Sequence, residues 1–133
     1  MRLDHIAMWT DRLEETKNFY VKHFNGVAES LFVNRENQFQ SYFVGFKNGV
    51  RLEIMQMPGI PANLNDVVNN QHQGLIHIAF SVGSRSEVDQ LTEELRGNQI
   101  SVVEEGVEYP DGYYESVVLD PGGNRVEISY SEF

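Results

Sequence analysis

Leu75-Ile76-His77-Ile78-Ala79-Phe80-Ser81-Val82 decides the reading of this chain, because Leu3-Asp4-His5-Ile6-Ala7-Met8-Trp9-Thr10 repeats its pattern near the start. Both stretches set His-Ile-Ala inside a short apolar run that hands over to a polar helix start. The two histidines stand 72 residues apart. Arg51-Leu52-Glu53-Ile54 and Arg125-Val126-Glu127-Ile128 form a second pair of echoes, 74 residues apart. Two such similar offsets in one chain mark a duplicated module.

Strand geometry makes His5, Glu53, His77 and Glu127 the candidate site. Successive side chains on a strand point to opposite faces. His5 precedes Ile6 and Met8; Glu53 lies between Leu52 and Ile54, His77 between Ile76 and Ile78, and Glu127 between Val126 and Ile128. In all four stretches the aliphatics take one face and the ionisable residue the other. If the aliphatic face packs on a helix, the His/Glu face lines something else. Any one of these residues alone reads as an ordinary hydrogen-bonded histidine or solvated carboxylate. Four in matched alternation point to a cavity where two imidazoles and two carboxylates neutralise a divalent cation and give it borderline-to-hard donors.

The chain has 133 residues, enough for one domain that buries roughly 70% of its unfolded surface. The expected organisation is a single domain over residues 1–133: module one 1–57, a linker 58–74 and module two 75–133. No apolar run approaches the ~20 residues of a membrane span and no signal-peptide pattern opens the chain, so a soluble, cytoplasmic protein is expected. There is no cysteine, which excludes disulfides and thiolate ligands. The net charge of −10 repels phosphate, so neither nucleic acid nor an anionic membrane is an expected partner.

Taken in order, residues 2–9 read as a strand. Asp11-Arg12-Leu13-Glu14 fits a capping arrangement with an acid at the N-cap. Leu13, Thr16, Tyr20 and Phe24 then recur at helical spacing up to a stop at Asn25-Gly26. Val27–Val33 is an expected strand and Asn34–Gln40 a polar loop. Ser41–Phe46 and Val50–Met57 are expected strands joined at Asn48-Gly49. The linker 58–74 is rich in Pro, Asn and Gly, which disfavours regular structure. In the second half Ser84-Arg85-Ser86-Glu87 reads as a capping box, Val88, Leu91 and Leu95 as the buried stripe, and Gly97 as the helix end. Ile100–Val107 and Tyr113–Leu119 are strands around a Tyr109–Gly112 turn, and Asp120–Asn124 turns into the Glu127 strand. The fold class is therefore α+β, two βαβββ modules whose sheets form a partly open barrel.

These residues resemble the vicinal oxygen chelate superfamily of glyoxalase I, fosfomycin resistance proteins, methylmalonyl-CoA epimerase and bleomycin resistance proteins. The resemblance covers essentially the whole chain. It is carried by Leu3–Ala7, Arg51–Ile54, Ile76–Val82 and Asp120–Ile128. It implies one divalent metal per chain, held by His5, Glu53, His77 and Glu127, with nickel, cobalt or zinc favoured over manganese or iron. The order His, Glu, His, Glu looks most like short bacterial glyoxalase I. That enzyme is a lyase in which the metal holds an enediolate made from a hemithioacetal, and a ligand carboxylate moves the proton. The expected catalytic carboxylate here is Glu127 or Glu53. Trp9 departs from the pattern, standing where that enzyme has a basic residue for the glutathione carboxylate. An apolar or aromatic small-molecule substrate is therefore expected, with Trp9, Met55 and Tyr113 bordering it. The resemblance also implies a homodimer. The alternatives within the superfamily are a fosfomycin-resistance-like transferase or epoxide hydrolase, an extradiol-type dioxygenase, and a non-catalytic drug binder. An extra Glu53 weighs against the first two, and the complete tetrad against the last.

Overall fold

The computed structural model describes residues 1–133. The elements run β1 (His5–Trp9), α1 (Leu13–His23), β2 (Val27–Ala28), β3 (Phe32–Asn34), β4 (Phe39–Gly45), β5 (Arg51–Gln56), β6 (His77–Ser81), α2 (Arg85–Gly97), β7 (Val102–Glu108), β8 (Tyr114–Leu119) and β9 (Arg125–Tyr130). The chain divides into two compact units, Met1–Asn63 and Leu64–Phe133. The second is a βαβββ module of α+β type, and the first follows the same order with its second strand split into β2 and β3.

In the first unit the sheet order is β1-β5-β4-β2, with β3 also paired to β4; in the second it is β6-β9-β8-β7. The first strand of each unit lies parallel to its last, β1 on β5 and β6 on β9, and the other pairings are antiparallel. A parallel neighbour needs a crossover connection, and α1 and α2 begin those crossovers. Tight turns close the hairpins. Asp120 and Asn124 exchange the backbone bond that Phe46 and Val50 make 74 positions earlier, and Gly49 and Gly123 both take positive φ, 86° in each.

Alternation is realised as expected. In the first unit Met8, Leu52, Ile54 and Val44 are buried together with Leu13, Thr16, Phe19 and Tyr20 of α1, which packs on β4 and β5. In the second, Val118, Val126 and Ile128 are buried with Val88, Thr92 and Leu95 of α2. The His/Glu face of each sheet is the one turned away from its helix.

Three local expectations are corrected. Asp11 is not the cap of α1: Arg12 stands at the N-cap without a side-chain cap bond. Instead the Leu13 N–H donates to Gln56 Oε1 at 3.2 Å and the Arg12 N–H to Thr10 Oγ1 at 3.0 Å, so a distant strand end does the capping. Thr92 replaces Leu91 in the buried stripe of α2, because its hydroxyl donates to the Val88 carbonyl at 2.6 Å and also meets Ser116 Oγ at 2.6 Å. The Val27–Val33 strand is two short strands, both on β4. Gly97 is the last helical residue, as expected, and the left-handed step follows at Gln99, φ 65°. The Ser84 cap of α2 does form, accepting from the Glu87 N–H at 3.1 Å, while Glu87 accepts from the Gly83 N–H at 2.9 Å.

Gly26, just past α1, ties this packing together. Its N–H donates to the Tyr20 carbonyl at 3.0 Å, and a Cβ there would stand 2.5 Å from Val44 Cγ1. Val44 is fully buried and has nowhere to go. Gly26→Ala is expected to destabilise the protein by about 1–3 kcal/mol in urea unfolding, the usual cost of overpacking a core. An unchanged midpoint would show that the α1–β4 packing is looser than described.

Candidate functional site

The two parallel pairings share one register. His5 stands opposite Arg51 and Ala7 opposite Glu53; His77 stands opposite Arg125 and Ala79 opposite Glu127. Each Glu thus faces an alanine, whose methyl leaves room for the longer side chain to lean toward the histidine one pleat away. Glu53 Oε1 comes within 3.9 Å of His5 Nε2, and Glu127 Oε2 within 3.0 Å of His77 Nδ1. Both carboxylates are largely covered, with side chains 18% and 13% exposed, while the histidines keep 38% and 40%.

These pairs suit a metal in donor type. Donors about 2.1 Å from a shared ion lie about 3.0–3.4 Å apart in octahedral or tetrahedral geometry. The His77–Glu127 pair, at 3.0 Å, has that spacing, and the His5–Glu53 pair, at 3.9 Å, is wider. Neither unit gathers three or more His, Asp or Glu side chains into a metal-holding group of its own; each presents a pair.

The surroundings of the two pairs differ. In the first unit His5 Nδ1 lies 2.8 Å from Asp4 Oδ2, and Arg51 Nη2 donates to the same oxygen at 2.9 Å. The His5 hydrogen bond, followed by the one from Arg51, draws the Asp4 carboxyl down to about 2. Phe43, opposite Glu53 on β4, sets its ring edge-on to His5 with centroids 5.2 Å apart. Farther along the same face come Trp9, Met55, Phe39 and Phe32. Trp9 is opposite Met55 and edge-on to Phe39 at 6.0 Å, with Phe32 a further 6.1 Å from Phe39. Trp9 is 41% exposed and Phe32 57%.

The face in the second unit is acidic. Burial, and then the neighbouring Glu115 and Glu104, push the Glu127 carboxyl up to about 7. Ser129 Oγ donates to Glu115 Oε1 at 3.2 Å, and the Tyr109 hydroxyl donates to Glu104. That bond to Glu104 is the main reason the Tyr109 phenol rises to about 12. Tyr113 lies just before β8, half-buried and edge-on to Phe133 at 5.6 Å.

Each of the seven residues read from the sequence therefore lies on or beside the helix-averted face of its own sheet. The reading passed over Asp4, Arg51 and Phe43 around His5, and Glu104 around Glu127, while Glu115 was expected as a residue that borders the site. Phe43 and Glu104 reach their places through strand pairing, which alternation along a single strand does not give. Asp4 carried no signal beyond its place next to His5.

A family model for the Glyoxalase/Bleomycin resistance protein/Dioxygenase superfamily matches residues 2–128. No curated protein matches the sequence. Among solved structures, a glyoxalase family protein from Enterococcus faecalis is 23% identical, with 96% of each chain covered and a TM-score of 0.77. Lactoylglutathione lyase from Agrobacterium tumefaciens is 22% identical over 97% of this chain and 92% of its own, TM-score 0.68. The trypanothione-dependent glyoxalase I of Leishmania major is 19% identical over 96% and 85%, TM-score 0.72. At these identities the likeness shows a common fold.

The raised Glu127 carboxyl has a consequence for stability. Between its ordinary value of 4.5 and about 7, the folded metal-free protein keeps a proton that the unfolded chain has released, so stability falls as pH rises through that window. Asp4 works the other way: its stabilisation is present above 3.8 and lost as pH falls toward 2. Glu127→Gln removes the first titration. Its urea midpoint in the metal-free protein is expected above wild type at about pH 8, the gap closing toward about pH 5. A gap that does not change with pH would show that Glu127 ionises normally.

Proposed function

Because the chain belongs to the glyoxalase/bleomycin resistance protein/dioxygenase superfamily, we propose that it is a divalent-metal-dependent lyase or isomerase of glyoxalase I type. His5, Glu53, His77 and Glu127 are its metal ligands, one ion per chain. The observation that carries this reading is the shared register, which sets a His and a Glu side by side on the helix-averted face of both sheets. The ligand set is oxygen and nitrogen only, with two negative charges against a divalent ion. Such a set suits nickel, cobalt or zinc, and accommodates manganese or iron.

The chemistry a divalent ion supplies here is Lewis acidity toward two adjacent oxygens of a small substrate. The protein's own part is to hold the substrate carbon beside a carboxylate and move its proton. Glu127 and Glu53 are the two carboxylates able to do this, each covered by its sheet and each next to an imidazole. A base must lie within hydrogen-bond reach of the proton it takes, so covering the carboxylate also keeps water from competing for it.

Trp9, Met55 and Tyr113 border the substrate in this reading. Trp9 offers a flat apolar wall and a single N–H donor. Arg51, the cation on this face of β5, is already engaged by Asp4 and Glu29. A glutathione carboxylate finds no free guanidinium on β1, so the native substrate is a small oxygenated compound with an apolar or aromatic part.

His77→Ala is expected to abolish one-to-one uptake of Ni²⁺ or Zn²⁺ in equilibrium dialysis, with far-UV circular dichroism unchanged. Undiminished uptake by a folded variant would refute the ligand set. Wild type is expected to act weakly on the methylglyoxal–glutathione hemithioacetal. Trp9→Arg, adding one charge-assisted bond worth about 1.5–3 kcal/mol, is expected to raise kcat/KM on it by roughly 10- to 100-fold. A native kcat/KM above about 10⁶ M⁻¹s⁻¹ would instead mean that glutathione is accommodated despite Trp9.

A further inference from the structure

We propose that Asp4, held by Arg51, is a positioning residue that locks His5 as the Nδ1–H tautomer and turns its Nε2 lone pair toward Glu53. A carboxylate only accepts hydrogen bonds, so at 2.8 Å from Asp4 Oδ2 the His5 Nδ1 must carry the proton. In a neutral ring that leaves Nε2 bare, and Nε2 is the nitrogen 3.9 Å from Glu53 Oε1.

An exposed carboxylate–imidazole contact is weak by itself, and Asp4 keeps 46% of its side chain in solvent. Four further contacts make this one a clamp. Arg51 Nη2 donates to Asp4 Oδ2 at 2.9 Å, and its Nη1 donates to Glu29 Oε1 at 3.2 Å, so the guanidinium is anchored at two nitrogens. Its Cζ lies 4.2 Å from the centroid of the Phe43 ring, which fixes its plane. Phe43 in turn stands edge-on to His5 at an interplanar angle of 88°. Asp4, His5, Phe43 and Arg51 thus form a closed ring of contacts, and none can rotate without breaking one with its neighbour.

The second module lacks the device. The residue at Asp4's repeat position is Ile76, which accepts nothing from a side chain. Arg125, the repeat of Arg51, donates through Nε to the Val67 carbonyl at 2.7 Å and through Nη2 to that of Val68 at 3.3 Å, fastening a loop. The nitrogen of His77 that faces Glu127 is Nδ1. One histidine is therefore preset in tautomer and ring angle by its surroundings, and the other is free of such a partner at the preceding residue.

Ring spectra of three metal-free proteins and one metal titration test this. Long-range ¹H–¹⁵N correlation of the histidine rings near neutral pH is expected to show His5 Nδ1 protonated and Nε2 bare in wild type. Asp4→Ala is expected to move His5 toward the Nε2–H form that an unrestrained imidazole prefers, leaving the His77 signals in place. Asp4→Asn, which keeps a side-chain carbonyl acceptor, is expected to restore Nδ1–H. Titration with Zn²⁺ alone is expected to show 10- to 100-fold weaker binding for Asp4→Ala, the usual effect of removing a partner behind a ligand histidine. This last readout rests on His5 being a ligand. A changed tautomer with unchanged Zn²⁺ affinity would keep the clamp and overturn that ligand role. A wild-type His5 protonated on Nε2, or a spectrum indifferent to Asp4→Ala, would overturn the clamp itself.

Discussion

The parallel pairing of each module's first strand with its last is the constraint on which the rest depends. Parallel neighbours cannot be joined by a tight turn, so the chain must leave β1 or β6, cross one face of the sheet as a helix and return through the remaining strands. That crossover spends the aliphatic face: Leu52, Ile54 and Val44 under α1, and Val126, Ile128 and Val118 under α2. The other face is left for polar and aromatic residues. A slip of one residue in either pairing would send His and Glu to the helix and the aliphatics to solvent, so core burial itself enforces the register that brings His to Glu.

One scaffold used twice carries two different environments. At matched repeat positions the first module has Trp9, Phe43 and Met55 where the second has Ser81, Val117 and Ser129. The first face is accordingly aromatic beyond its His–Glu pair, with its one arginine neutralised by two carboxylates. On the second face Glu115 and Glu104 crowd Glu127, and two like charges near a covered carboxylate oppose its ionisation. In the proposed function the first module recognises the apolar part of a substrate and steadies its own histidine, while the second supplies concentrated negative charge. A divalent cation would relieve that charge, and Glu127 is one of the residues proposed to hold one.

Most of the fold was legible because its signals are local. Alternation of apolar and polar residues over five or six positions, Asn48-Gly49 between two such runs, and Ser84 three residues before Glu87 are short-range patterns with short-range causes. The misreadings share a different cause. Asp11 lost the cap of α1 to Gln56, which lies 43 residues beyond Leu13 in sequence and arrives there only because β5 ends beside β1. Thr92 displaced Leu91 from the buried stripe because Ser116, on a strand not yet formed when the helix is read alone, gives its hydroxyl a partner. A buried hydroxyl with a partner costs little, and periodicity cannot see the partner.

The sequence by itself determined which side chains share a face. The two-residue period of a strand is a property of each segment alone, and it separated His5, Glu53, His77 and Glu127 from the core before any neighbour was known. Tertiary structure decided who stands beside them. The choice of Arg51 rather than another cation for Asp4, of Phe43 for the His5 ring, of Glu115 and Glu104 for Glu127, and of a loop carbonyl for Arg125 depends on strand order and register across tens of residues. Those contacts settle tautomer and charge state, because hydrogen bonds and Coulomb forces act over a few ångströms of space and take no account of distance along the chain.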